Sequence, residues 1–107
     1  MTDWLIDAHA HMDDEAFDED RDAVLKALRE EGVLAVVNPG FDLASSKRAI
    51  ALANAYENVF ANVGSHPHEA RFYDAETEAV YREMAKEKKV TAIGEIGLDY
   101  HYDYTER

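Results

Sequence analysis

The chain has 107 residues, 47% of them hydrophobic, and its formal net charge at pH 7 is -12. This composition is typical of one globular domain, and the absence of any apolar run of about 18 residues excludes a membrane span. Because the chain contains no cysteine, disulfide scaffolds, thiolate metal sites and cysteine nucleophiles are excluded as well. The N-terminal residues lack the features of a secretion signal, so we expect a cytoplasmic protein.

The acidic charge also bears on partners. Proteins that bind nucleic acid broadly usually present a basic face, because neutralised phosphates supply most of their affinity. Basic residues cluster here only at positions 47–48 and 86–89. Charge alone therefore argues against extensive binding to a nucleic-acid duplex.

Apolar runs and helical patterns alternate along the chain. Short apolar runs bounded by glycine or proline predict four strands buried on both faces, at residues 4–9, 33–38, 59–64 and 90–96. Amphipathic patterns between them predict three helices, at about residues 18–31, 43–56 and 75–89. We expect Gly32 to end the first helix and Asp42 to cap the second.

The resulting order, β-α-β-α-β-α-β, predicts parallel strands joined by right-handed crossovers. The choice lies between an open doubly wound sheet and a (β/α)₈ barrel. A dinucleotide-binding sheet is excluded because His9 and His11 stand where the glycine fingerprint would follow the first strand. A complete barrel needs about 250 residues. We therefore expect residues 1–107 to form a single α/β domain, the N-terminal part of a barrel with four parallel strands and three helices.

Polar residues follow each predicted strand, at the end where α/β folds place their sites. His9 and His11 are two residues apart, so on an extended chain their imidazoles would point the same way, roughly 6.6 Å apart. Glu95 ends the fourth apolar run between two glycines, and a carboxylate there needs a cation or hydrogen bonds as compensation. Together these three residues predict a metal site open to water, suited to Zn, Mn, Fe or Ni better than to Mg. The alternatives are solvated loop histidines and a structural ion pair.

Other polar residues near these strand ends have less specific interpretations. His66 and His68 flank a proline after the third strand, where a histidine can contact a phosphate or donate a proton, or simply lie in a surface loop. Asp99 follows Glu95 and is expected to contact substrate or to support the metal ligands. Asn38 ends the second strand, and the acidic run at residues 13–20 is interpreted as a solvated helix entry.

Four segments resemble the TatD family of metal-dependent deoxyribonucleases. They are IDAHAHMD at residues 6–13, NPG at 38–40, VGSHPH at 63–68 and AIGEIGLDY at 92–100. The resemblance implies a TIM barrel with two divalent cations (Zn, Mn or Mg) that hydrolyses phosphodiester bonds in DNA. It implies that His9 and His11 bind the first cation, that Glu95 joins the two, and that His66 lies near the site. It also implies that the remaining ligands and the general base come from later strands, so no catalytic base is assigned within this chain.

Three functions remain open on the sequence. The first is a TatD-like nuclease acting on DNA or another phosphodiester. The second is a related hydrolase of amide or lactone bonds, and the third is a half-barrel that binds or assembles without catalysis. In every case we expect the 107-residue chain alone to lack meaningful nuclease turnover and to self-associate through open barrel edges.

Overall fold

The computed structural model describes residues 3–102. Its strands are β1 (Leu5–Asp7), β2 (Val33–Pro39), β3 (Val59–Val63) and β4 (Val90–Ile93). Its α-helices are α1 (Arg21–Glu30), α2 (Leu43–Ala55) and α3 (Ala75–Met84). Short 3-10 helices at Glu15–Phe17 and Pro67–Phe72 lie in the loops after β1 and β3. The strands pair in parallel in the order β1-β2-β3-β4, which confirms the predicted α/β architecture.

The hydrophobic core lies where the helices cover the two central strands. Leu25 of α1 and Ala49 of α2 pack with Val36 and Val59, and all four are at most 1% exposed. Tyr81 and Met84 of α3 form a second cluster. The helices cover only one face of the sheet. Within residues 3–102, none of them has the length and apolarity required to cross a membrane.

The predicted burial of both strand faces is wrong for the outer strands. Leu5 and Ile6 of β1 are 62% and 66% exposed, and Ile93 of β4 is 50% exposed. Each outer strand is paired along one edge only within the described part of the chain, and no second layer covers the inner surface of the sheet there. The apolar side chains of the outer strands therefore form a surface that residues 3–102 leave exposed.

The helix ends follow tertiary contacts as well as local sequence. The second helix begins as predicted, with the Asp42 carboxylate accepting a hydrogen bond of 2.8 Å from the Ser45 N–H. The first α-helix begins later than predicted, at Arg21, whose side chain bonds to the backbone oxygens of Met12 and Asp14 in the preceding loop. The third ends early, at Met84, and Lys89 instead donates to two carbonyls at the end of α2.

Candidate metal centre

Three predicted ligands meet at the carboxyl end of the sheet. The Nε2 atoms of His9 and His11 lie 3.9 Å and 3.4 Å from Oε2 of Glu95. One potential ligand atom from each residue falls within 4.8 Å of the others. Two imidazoles and one carboxylate form a donor set that suits divalent transition metals and leaves coordination positions for water or substrate. The arrangement is compatible with a shared cation, and the metal-ligand role of these residues remains a prediction.

The two histidines lie beyond β1 rather than on it. The strand ends at Asp7, whose carboxylate accepts a hydrogen bond of 3.1 Å from the His9 N–H and turns the chain. Ala10 then donates its N–H to the Val37 carbonyl of β2 at 3.1 Å. This bend places the two imidazole ring centres 5.1 Å apart, closer than an extended strand predicts. The Asp7 carboxylate therefore fixes the backbone of the loop that carries the two histidines.

Glu95 is positioned by main-chain contacts with the two central strands. After β4 ends at Ile93, Gly94 donates its N–H to Val63 at 2.9 Å and Glu95 donates to the Gly40 carbonyl at 2.7 Å. This close approach depends on Gly64, where an added Cβ would lie 2.9 Å from the Glu95 carbonyl oxygen. The glycine that this approach requires therefore lies in the loop after β3 and is neither of the two glycines that flank Glu95.

His66 faces the other oxygen of the same carboxylate. Its Nδ1 accepts a hydrogen bond of 3.1 Å from the His68 N–H, so the neutral ring carries its proton on Nε2. That Nε2 lies 3.8 Å from Oε1 of Glu95. Glu95 thus presents one oxygen to His9 and His11 and the other to His66, as a carboxylate between two binding positions would.

His68 and Asp99 form a second pair at the same end of the sheet. His68 Nε2 lies 2.5 Å from Oδ2 of Asp99, and the other Asp99 oxygen accepts backbone N–H bonds from His101 and Tyr102. The hydrogen bond from His68, with help from these backbone donors, lowers the pKa of Asp99 to about 2. Asp99 is therefore a carboxylate at neutral pH and orients the His68 ring.

This pair predicts a specific pH dependence of stability. Because the folded pKa of Asp99 lies below its ordinary value of 3.8, its contribution is complete above about pH 4 and is lost as the pH falls toward 2. We expect Asp99→Asn to lower the thermal unfolding midpoint at pH 6 and the difference from the wild type to vanish near pH 2. Unfolding curves followed by circular dichroism would measure this, and a constant difference across the range would contradict it.

Asp13 has a role that the sequence analysis missed, since it was interpreted as part of a solvated helix entry. Its carboxylate accepts from the side-chain amide of Asn38 at 3.1 Å, and its N–H donates back to the same amide at 3.0 Å. The other Asp13 oxygen accepts from Nε of Arg48 at 3.3 Å. The available signal was Asn38 itself, because a fully buried amide at a strand end requires hydrogen-bonding partners.

These groups surround one cavity of about 890 Å³. Its lining includes His11, Glu95, His66 and His68, together with Phe41 and Arg48. Several exposed carboxylates of the loop after β1 complete the wall, and Arg48 is the only lysine or arginine among the described residues that line it. Two of the predicted ligands, His11 and Glu95, thus share with His66 and His68 a single space large enough for a nucleotide-sized group.

The chain resembles known hydrolases over nearly its whole length. The family model described as TatD related DNase matches residues 6–107. The chain is 38% identical over 99 residues to an uncharacterized metal-dependent hydrolase, YabD, of Bacillus subtilis, covering 92% of this chain and 39% of that protein. It is 35% identical over 101 residues to the 3'-5' ssDNA/RNA exonuclease TatD of Cronobacter sakazakii, covering 94% of this chain and 38% of that protein.

Solved structures show the same relationship. The TatD homologue YjjV of Escherichia coli K12 matches with a TM-score of 0.76 and 32% identity, over 92% of this chain and 39% of that one. A TatD-family hydrolase of Entamoeba histolytica matches with a TM-score of 0.80 and 27% identity, over 94% of this chain and 39% of that one. The chain thus spans about two-fifths of the length of these relatives. It belongs to the family of TatD-related DNases and has the incomplete TIM-barrel fold that its sequence predicts.

Proposed function

We propose that this chain forms the N-terminal part of a metal-dependent hydrolase that cleaves phosphodiester bonds in nucleic acid, with DNA as its substrate. The observation that carries the proposal is the convergence of His9, His11 and Glu95, whose potential ligand atoms lie within 4.8 Å of one another. The names of relatives support it, since they include metal-dependent hydrolases and a 3'-5' ssDNA/RNA exonuclease.

The donor set fits one divalent cation, and we infer that the whole site takes a second one, for which further ligands are needed. His9 and His11 would hold the first, and Glu95 would be shared, because its Oε2 faces these histidines while its Oε1 faces His66 at 3.8 Å. Zn, Mn or Mg would serve in such a site, with nitrogen ligands favouring the first two. When bound, a cation pair supplies activation of water and stabilisation of the leaving oxygen.

The residues around this site have roles of their own. The Nε2–H of His66 is fixed as a donor by the His68 N–H bond to its Nδ1, so it can hold an oxygen of a phosphate group. Asp99 fixes the His68 ring through their 2.5 Å contact. These contacts orient two imidazoles before substrate arrives, which reduces the ordering required at binding.

The proposal is tested by titrating the 107-residue chain with Mn²⁺ by isothermal calorimetry. We expect weak binding, and we expect Glu95→Gln and His11→Ala to weaken it by at least about tenfold, as removal of a ligand should. Glu69→Gln is the matched control, because Glu69 lines the same cavity outside the cluster. Mn²⁺ affinity unchanged in both ligand variants would contradict the proposed site and favour the non-catalytic alternative.

We also expect no meaningful DNA cleavage by the 107-residue chain with Mn²⁺ present. Three protein ligands leave a second cation short of partners, and residues 3–102 offer no general base in the cluster beyond the ligands themselves. The measurement is the release of fluorescent fragments from labelled single-stranded DNA. Robust cleavage that His11→Ala abolishes would show that these 107 residues suffice for catalysis.

A further inference from the structure

We propose that Phe41 and Arg48 form a nucleotide subsite beside the predicted metal cluster. The Phe41 ring would stack on an unpaired base, and the Arg48 guanidinium would contact an adjacent phosphate. This inference rests on the proposed function, and it names two residues that would position the nucleic-acid strand in the same cavity.

The Phe41 side chain is not part of the hydrophobic core. It is half-buried and lines the cavity, yet it belongs to neither hydrophobic cluster of the fold. Among residues 3–102 its ring takes part in no contact with another aromatic ring. An aromatic face in an otherwise polar cavity is the usual platform for stacking of single-stranded bases.

The backbone that carries Phe41 is fixed to the predicted site. Phe41 donates its N–H to Oγ of Ser45 at 2.7 Å, and its carbonyl accepts from the His66 N–H at 2.8 Å. The preceding carbonyl, that of Gly40, accepts from the Glu95 N–H at 2.7 Å. Phe41 therefore bonds to His66 directly and follows the residue that bonds to Glu95, so a base stacked on its ring lies in the cavity that His66 and Glu95 also line.

Arg48 is held toward the same cavity. It lies one helical turn after Ser45, the residue that bonds the Phe41 backbone, so both occupy the same face of α2. Its Nε donates to Asp13, whose carboxylate the buried Asn38 fixes. The Arg48 side chain is 54% exposed, and among the described residues its terminal amino groups make no hydrogen bond to a carboxylate. Such a guanidinium can bind a phosphate oxygen while Nε stays paired.

The combination favours a single strand over a duplex. Stacking requires a base freed from its complementary partner. One arginine suits one or two phosphates, whereas the net charge of -12 opposes the many phosphate contacts of duplex binding.

The test is fluorescence anisotropy of the 107-residue chain with a labelled six-residue oligothymidylate and with an abasic oligomer of equal length, both with Ca²⁺. We expect Phe41→Leu to weaken binding of oligothymidylate by roughly 5- to 150-fold and to leave the abasic oligomer unchanged. Phe41→Tyr, which keeps the ring, should bind like the wild type. Arg48→Ala should weaken both oligomers and reduce the slope of log affinity against log salt by about 0.7. Lys47→Ala, which removes an exposed charge from the same helix, should not alter the preference for a base.

Folding of each variant is checked by circular dichroism, and Mn²⁺ binding is measured in parallel. If Phe41→Leu binds both oligomers as the wild type does, or if the wild type binds neither oligomer or binds both equally, the subsite is wrong. Mn²⁺ binding that depends on Glu95 would then leave the proposed function standing. If the wild type does not bind Mn²⁺, the proposed function is wrong. In that case a preference for the base that is present in the wild type and absent in Phe41→Leu would still support the subsite.

Discussion

Gly40→Ala is expected to destabilise the chain by about 3 kcal/mol, the upper part of the range for overpacking a core position. An added Cβ at Gly40 would lie 2.2 Å from Oγ and 2.7 Å from Cα of Ser46, a fully buried residue of α2. The second contact involves backbone, so a rotamer change of Ser46 cannot relieve it. Because the Gly40 carbonyl also accepts the Glu95 N–H, the same shift should weaken Mn²⁺ binding.

Gly97→Ala provides the control for Gly40→Ala. Gly97 has a φ of +136° and no atom within 4 Å of an added Cβ, so alanine there costs backbone strain of about 1–2 kcal/mol without a steric clash. Urea unfolding of both variants, together with Mn²⁺ titration, separates the two effects. Equal stability of Gly40→Ala and the wild type would show that α2 can move away from the β2 end, and the tight contact would then not be essential.

The second large effect is self-association of the purified chain. The exposed apolar side chains include Trp4, Ile6, Ile96 and Leu98, which are 60–69% exposed and lie on or just beyond the two open outer strands. Unpaired strand edges and uncovered apolar surface both favour contact with a second copy. The net charge of -12 opposes this contact, and salt screens that repulsion. We therefore expect a larger associated fraction as concentration and salt increase.

Sedimentation velocity at about 0.05 M and 1 M salt would measure the association, since the screening length falls severalfold between them. Ile6→Lys should reduce it by placing a charge on the open edge strand. Phe72→Lys is the matched control, because Phe72 is similarly exposed, at 64%, but lies in the 3-10 helix after β3. A folded monomer at both salt concentrations, or an equal effect of the two variants, would contradict association through the open edges.

Much of the fold was predictable because its signals are local. Apolar runs ending at glycine or proline marked β2 and β3 within a residue, and the N-cap Asp42 marked the start of α2. The proximity of His9, His11 and Glu95 followed from a topological rule, since parallel strands end at the same side of a sheet. Local pattern and chain topology were sufficient for these features.

Other features depended on contacts that the sequence pattern does not encode. The sequence predicts that Asp13 belongs to a solvated acidic run, whereas its carboxylate bonds to Asn38, 25 positions away. No local sequence signal marks Phe41, because its location in the cavity is set by backbone hydrogen bonds to Ser45 and His66. The early end of β4 likewise reflects the bonds that Gly94 and Glu95 make to neighbouring strands. Side chains whose partners are distant in sequence require the folded chain to be identified.

The end of β2 is a common attachment point for the loops that carry the predicted ligands. Carbonyls of Val37, Gly40 and Phe41 accept from Ala10, Glu95 and His66 respectively. All three bonds use main-chain atoms, so they do not depend on which side chains project into the cavity. Substitutions at positions 41 and 48 should therefore change the lining of the cavity while the backbone that carries the predicted ligands stays in place. The attachment point thus separates two properties of this chain, the backbone path that brings His9, His11 and Glu95 together and the side chains that line the cavity beside them.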